Sequence, residues 1–212
     1  MQPAFIQQLK QRLEQPLPGM EAQSKMMGVR FKRKDTNDYA KHSANARRAA
    51  VMVLLFQKDG LWYTNLMQRP ESAYAHSKQV SFPGGGLEEA DASLEACAIR
   101  ETEEEFGIPS ANIQVIGALT ELYIPVSDYL VQPFVGYLAE APSYTPDTNE
   151  VAEVLEVPLK DLLDPTLRKM TTIKVSADVS LPDIPYFDVV DKVVWGATAM
   201  MLSEFVEVLE AV

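Results

Sequence analysis

The stretch that decides the fold runs Gly84-Gly85-Gly86-Leu87-Glu88-Glu89-Ala90-Asp91-Ala92-Ser93-Leu94-Glu95-Ala96-Cys97-Ala98-Ile99-Arg100-Glu101-Thr102-Glu103-Glu104-Glu105-Phe106-Gly107-Ile108. It reads as a glycine-rich turn feeding one helix over residues 92–106 that ends in carboxylates. Asp91 or Ser93 can cap its start. Gly107-Ile108 predicts a left-handed stop with an apolar contact behind it. Glu101, Glu104 and Glu105 stand at i, i+3 and i+4, so at about 100° per residue they share one arc. Leu94, Cys97 and Ala98 lie on the same stripe earlier in the helix. A face that begins as core therefore continues as carboxylates whose Cβ atoms are about 5–6 Å apart. Two like charges at that distance repel by roughly 3 kcal/mol at an effective dielectric of about 20. A hard divalent cation with oxygen ligands, Mg²⁺ or Mn²⁺, would relieve that repulsion. Glu103 points about 200° away from Glu101 and is read as non-ligating.

The flanking segments predict an α/β protein. Phe5, Ile6, Leu9 and Leu13 recur at helical spacing, and Pro16 and Pro18 end the pattern. A polar, basic connector over 24–48 carries Arg30, Lys32, Arg33, Lys34, Arg47 and Arg48. Residues 49–56 read as a buried strand, Asp59-Gly60 as a hairpin turn and 61–68 as the partner strand. Further strands are expected at 80–82, 113–122, 130–138, 151–157, 171–179 and 186–190. A short helix is expected at 159–163 and a closing helix at 193–209. Hairpins mixed with long helices suggest a central mixed sheet covered on both faces.

Composition sets limits. The chain has 212 residues and a net charge of −11, which argues against nucleic-acid and membrane-surface partners. The single cysteine, Cys97, rules out an intramolecular disulfide and fits a reducing cytoplasm. No targeting segment is read at the start of the sequence, and its longest apolar run is too short to span a bilayer.

The segment Arg100-Glu101-Thr102-Glu103-Glu104-Glu105-Phe106-Gly107-Ile108 resembles the second half of the Nudix box, with Thr102 a mild departure. The first half is looser: five residues separate Gly85 from Asp91, where the box usually has Glu. Eight residues rather than seven then lead to Arg100. That spacing, the preceding Phe82-Pro83-Gly84-Gly85, Leu66-Met67-Gln68-Arg69 upstream and Trp195-Gly196-Ala197-Thr198-Ala199 resemble the coenzyme A pyrophosphatase branch of Nudix hydrolases. The resemblance implies a Nudix α/β/α sandwich over 45–212, with 1–44 as an N-terminal helix and connector. It implies a Mg²⁺- or Mn²⁺-dependent enzyme that hydrolyses a pyrophosphate linkage in a small nucleoside diphosphate derivative. Coenzyme A, cut to 3′,5′-ADP and 4′-phosphopantetheine, is the first expectation. ADP-ribose or a dinucleoside polyphosphate is the second, and a non-catalytic Nudix-fold binding protein the third. Tyr74, Lys78 and Pro70 depart from the coenzyme A pattern.

Carried onto this sequence, the resemblance makes Glu101, Glu104, Glu105 and the carbonyl of Gly84 or Gly85 the metal ligands. Arg100 is implied to be structural, pairing with a box carboxylate and holding it in place, and Asp91 to order the loop. Glu150, on a later loop, is the candidate general base, with Glu121 behind it. Arg69, His76 and Lys78 are the candidate substrate contacts, and Arg47 and Arg48 are further phosphate candidates. A homodimer is compatible with the chain.

Overall fold

Strand β1 (Arg47–Lys58) is the axis around which the protein is built. The computed structural model describes residues 3–28, 43, 45–71, 79–175 and 179–212. On one side β1 runs parallel to β7 (Tyr129–Tyr137), from the Arg47–Tyr129 pair to the Leu55–Tyr137 pair. On the other side it is antiparallel to two strands in succession. Its first half pairs with β4 (Gly84–Gly86), and its end folds through Asp59-Gly60 into β2 (Leu61–Gln68). Both turn residues have positive φ, as a two-residue hairpin with right-handed strand twist requires. β3 (Val80–Ser81) and β8 (Glu153–Pro158) pair with β2, while β5 (Gln114–Ala118) and β6 (Leu122–Ile124) pair with β7. The sheet is thus mixed, in the order β3-β2-β1-β7-β5.

The apolar run in β1 is continuous because both faces of the sheet are covered. Ala50, Met52, Leu54 and Phe56 pack with Cys97, Ala98 and Phe106 of helix α3 (Leu94–Phe106). Ala49, Val53 and Leu55 face the opposite cluster. There they share a core with Ile6 and Leu9 of α1 (Ala4–Leu13) and with Phe205 and Val208 of α5 (Gly196–Leu209). This is the expected α/β/α arrangement. Two further short helices are α2 (Gly19–Gln23) and α4 (Leu159–Leu163). A separate antiparallel sheet is formed by β9 (Arg168–Lys174), β10 (Ser180–Val189) and β11 (Lys192–Trp195), with β10 central.

One buried carboxylate ties the chain's beginning to its end. Glu204 of α5 is inaccessible to solvent and accepts hydrogen bonds from the Gly19 and Thr120 amides and from Gln23 Nε2 at 2.8–3.2 Å. Among the described residues no helix is long and apolar enough to cross a membrane.

Several expected elements differ. The closing helix begins at Gly196, and Val193, Val194 and Trp195 belong to β11, where they pair with β10. A short apolar run does not distinguish strand from helix. The strand expected over 113–122 is two strands, since β5 ends at Ala118 and pairing resumes at Leu122. The strand expected at 171–179 starts earlier, at Arg168, and ends at Lys174; residues 176–178 lie outside the described ones. The connector over 24–48 gives way to β1 at Arg47, and its residues Arg30, Lys32, Arg33 and Lys34 lie outside the described residues. The glycine-rich turn is itself a strand, β4.

Candidate active site

The box helix and β4 meet edge to face, and the geometry follows from the glycines. Ser93 caps α3 by accepting from the Ala96 amide at 3.1 Å, and Gly107 ends it in the left-handed region with φ 67°. Cys97 and Ala98 pack under the sheet and fix the rotation of the helix, which turns Glu101 and Glu105 toward β4. A Cβ on Gly85 would come within 2.3 Å of Glu101 Oε1, so only glycine lets that carboxylate lie against the strand. Glu105, with its side chain 2% exposed, accepts a 2.8 Å hydrogen bond from the Gly84 amide.

The ladder register distinguishes the two glycine carbonyls. Met52 N–H donates to Pro83 and Leu87 N–H to Arg48, so Ala50 and Gly85 form the hydrogen-bonded pair between them. The Gly85 carbonyl is therefore directed at Ala50. Gly84 turns its N–H and C=O away from β1, on the side of Glu105.

The electrostatics show a site short of positive charge. Burial pushes the Glu105 carboxyl up to about 8, against the opposing pull of the Gly84 amide and of Arg69 at 3.4 Å. The nearby charges of Glu101 and Glu150 push in the same direction as burial. Glu101 is also raised, first by burial, with Arg100 opposing and Glu104 and Glu150 adding. Glu104 is different: its side chain is 59% exposed and bonds Arg100 Nη1 at 2.8 Å. Among the described residues no three His, Cys, Asp or Glu side chains are already gathered tightly enough to hold an ion. The donor set nevertheless suits a hard cation. It offers a buried carboxylate, a half-buried one, an exposed one on the same helix and a backbone carbonyl.

Arg100 organises the loop that precedes α3. Its guanidinium grips Asp91 through two hydrogen bonds of 2.9 and 3.0 Å and reaches the Gly86 carbonyl and Glu101. Asp91 also accepts from the Glu88 amide, and together these hold its carboxyl down at about 2. The eight-residue interval from Asp91 to Arg100 does not prevent this bidentate pair. Cys97, buried beneath the Gly85 and Gly86 carbonyls, has its thiol pushed up to about 11, first by burial.

Glu150 stands on a loop pinned to the end of α3. Thr145 N–H donates to Phe106, Asp147 N–H to Glu105, and Val151 N–H to Asp147. Its own side chain is exposed, yet its charge is felt by both Glu101 and Glu105. Glu121 is held by Arg48 instead, and Arg47 lies over the Tyr129 ring at 4.1 Å, so neither arginine is placed as a free phosphate contact. His76, Lys78 and Tyr74 lie outside the described residues. Reasoning from sequence found Gly107 as the helix stop and missed its second role. A Cβ there would come within 2.5 Å of the Thr145 carbonyl, so this glycine also seats the loop that carries Glu150. Its place in the box was the only signal.

Comparison with known proteins gives the family and the fold. Residues 46–177 match the NUDIX domain family. An uncharacterized Nudix hydrolase NudL of Photorhabdus laumondii is 33% identical over 165 residues, covering 78% of this chain and 86% of its own. A NudL of Escherichia coli is 33% identical over 166 residues, covering 77% and 83%. The crystal structure of a MutT/nudix family protein from Enterococcus faecalis superposes with a TM-score of 0.50 at 17% identity. That match spans 92% of this chain and 76% of the other, and supports the fold. An α/β/α sandwich with a carboxylate helix docked on a glycine strand defines the class: the chain belongs to the Nudix hydrolase superfamily.

Proposed function

We propose that the protein is a divalent-metal-dependent pyrophosphohydrolase of nucleoside diphosphate derivatives, with coenzyme A or an acyl-coenzyme A as its preferred substrate. The observation that carries the chemistry is the pairing of Glu101 and Glu105 against β4, where burial leaves both carboxylates undercompensated. Glu101, Glu104 and Glu105 with the Gly84 carbonyl would hold Mg²⁺ or Mn²⁺, which supplies charge neutralisation and an activated water. The ladder register favours Gly84 over Gly85 for that contact.

The chain's own residues do the rest. Arg69 stands at the end of β2 with its side chain 35% exposed, and so offers a guanidinium fork to a phosphate while keeping its contact with Glu105. Arg100 holds Asp91 and the Gly86 carbonyl, which fixes the loop beside the carboxylates. Glu150, on its pinned loop, serves as the general base that takes the proton of the attacking water. Hydrolysis then leaves two phosphate monoesters. The catalytic unit is residues 45–212, with 1–44 an N-terminal extension.

Coenzyme A is favoured by Phe82-Pro83-Gly84-Gly85, by the Asp91–Arg100 interval and by Trp195-Gly196. The test is a substrate panel of coenzyme A, ADP-ribose and a dinucleoside polyphosphate, assayed for phosphate monoester with Mg²⁺ and with Mn²⁺. Coenzyme A should be cut with the highest kcat/KM, giving 3′,5′-ADP and 4′-phosphopantetheine. Preference for ADP-ribose would retain the chemistry and overturn the substrate. Cleavage of none, with binding intact, would favour a non-catalytic binding protein.

A further inference from the structure

The segment that carries Glu150 is fastened at both ends, and its first fastening is a side chain with no part in metal or phosphate binding. The ring of Tyr144 meets Phe106, the last residue of α3, edge to face with centroids 6.0 Å apart. Its hydroxyl accepts from Asn65 Nδ2 at 2.6 Å and donates to Glu156 Oε1 at 3.2 Å. Glu156 is in turn held through Oε2 by Lys58 Nζ at 2.6 Å. Asn65 and Glu156 are cross-strand partners on β2 and β8, and Lys58 ends β1, so one phenol is tied to three strands. Asn65 is inaccessible to solvent, and strand alternation places it with Tyr63 and Met67 on the α3 side of the sheet. Its Oδ1 has no partner among the described residues. A buried amide so incompletely satisfied costs stability that an apolar residue would not. The group its Nδ2 does satisfy is Tyr144. Burial, with Glu156 beside it, pushes the phenol well above its usual pKa, so the hydroxyl stays a donor.

From this anchor the chain has little freedom on the way to Glu150. Pro146 fixes φ between Thr145 and Asp147. Thr145 N–H donates to the Phe106 carbonyl and Asp147 N–H to the Glu105 carbonyl. Asp147 then organises the turn. Its carbonyl accepts from the Glu150 and Val151 amides at 3.0 and 2.8 Å, and its carboxylate from the Asn149 amide at 2.9 Å. Beyond the turn Val151 is buried in the core under α3, and Ala152 N–H donates to the Gln68 carbonyl.

We propose that Tyr144 is a positioning residue for hydrolysis: its hydrogen bonds to Asn65 and Glu156 set the place of the turn at Asp147, and through it that of Glu150 beside the box carboxylates. The proposal rests on the reading of Glu150 as the general base, and the experiment separates the two. Tyr144→Phe keeps the ring and removes the hydroxyl. With Mg²⁺ and the best-cleaved nucleotide of the substrate panel, kcat should fall roughly 10- to 100-fold while KM changes less than about two-fold, the scale expected when a reacting group is misplaced by about 1 Å. Glu150→Gln should lower kcat at least as much. The double variant should be no slower than Glu150→Gln, because displacing a base has no effect once the base is gone. Pro146→Gly loosens the same link outside the core and should reproduce the loss of kcat with a small change in melting temperature. It covers the case in which Tyr144→Phe fails to fold. Hydrogen exchange at the Thr145, Asp147 and Val151 amides reads the loop directly, and should be faster in Tyr144→Phe while the amides of α3 are unchanged. An unchanged kcat in Tyr144→Phe, losses that multiply in the double variant, or unchanged exchange at those three amides would overturn the positioning role. If Glu150→Gln keeps wild-type kcat while Tyr144→Phe speeds loop exchange and slows turnover, the general base is overturned and Tyr144 positions the loop for another group.

Discussion

Glu104 and Glu105 are neighbours in sequence with opposite surroundings, and that contrast sets what each substitution should do. Glu104 is exposed, and its pair with Arg100 is a surface ion pair of the kind that contributes about 0.5 kcal/mol or less. Glu104→Gln should therefore melt within a few degrees of wild type while turnover falls roughly 100- to 1,000-fold, as expected for loss of a charged ligand to a catalytic cation. Thermal melts and kcat at saturating Mg²⁺ check both halves. Activity within a few-fold of wild type would remove Glu104 from the ligand set. Gly85→Ala tests the close approach directly, because the added methyl displaces Glu101. A large loss of kcat with near-native circular dichroism is expected. Asp91 contributes to the pH dependence of stability at the acid end. Its folded pKa is depressed to about 2 from 3.8, so its contribution is present above about pH 4 and is lost as pH falls through 2. Asp91→Asn should accordingly be less stable than wild type from pH 5 to 7, and the gap should close near pH 2 in urea titrations.

The box helix was legible as an element because its local signals agree. The Ser93 cap, the apolar stripe and the Gly107 stop all point to one helix, found at Leu94–Phe106. Strand β4 was not legible. Three consecutive glycines read as a turn, and their strand character comes from pairing with β1, a contact distant in sequence. The start of α5 was missed for a similar reason. The run Val193-Val194-Trp195 suits either period, and its assignment to β11 is decided by pairing with β10. The loop bearing Glu150 was legible only as a loop; its attachment to the end of α3 depends on hydrogen bonds that no local pattern shows. Gly107→Ala probes that attachment. A left-handed non-glycine residue costs about 1–2 kcal/mol, and the methyl also meets the Thr145 carbonyl. Both a lower melting temperature and a reduced kcat are expected. Loss of stability alone, with kcat unchanged in the folded fraction, would detach this loop from the chemistry.

At the scale of the whole molecule the N-terminal segment is joined to α5 through Glu204. Three groups donate to it; without it the Gly19 and Thr120 amides lose this acceptor, while Gln23 Nε2 keeps its bond to the Thr120 carbonyl. Glu204→Ala should cost about 2–4 kcal/mol in chemical denaturation, since each stranded buried donor costs about 1–3 kcal/mol and relaxation recovers part of it. A cost below about 1 kcal/mol would mean that the α2 segment docks through apolar contacts alone. The central claim for the molecule is that the face of α3 turned toward β4 gathers a divalent cation. Mn²⁺ binding followed by electron paramagnetic resonance tests it most directly, on wild type and on a variant carrying Glu101→Gln and Glu105→Gln together. Wild type should bind Mn²⁺ saturably, with Mg²⁺ competing, and the double variant should lose at least about a hundred-fold in affinity. Equal binding by both proteins, with the double variant folded, would contradict the account.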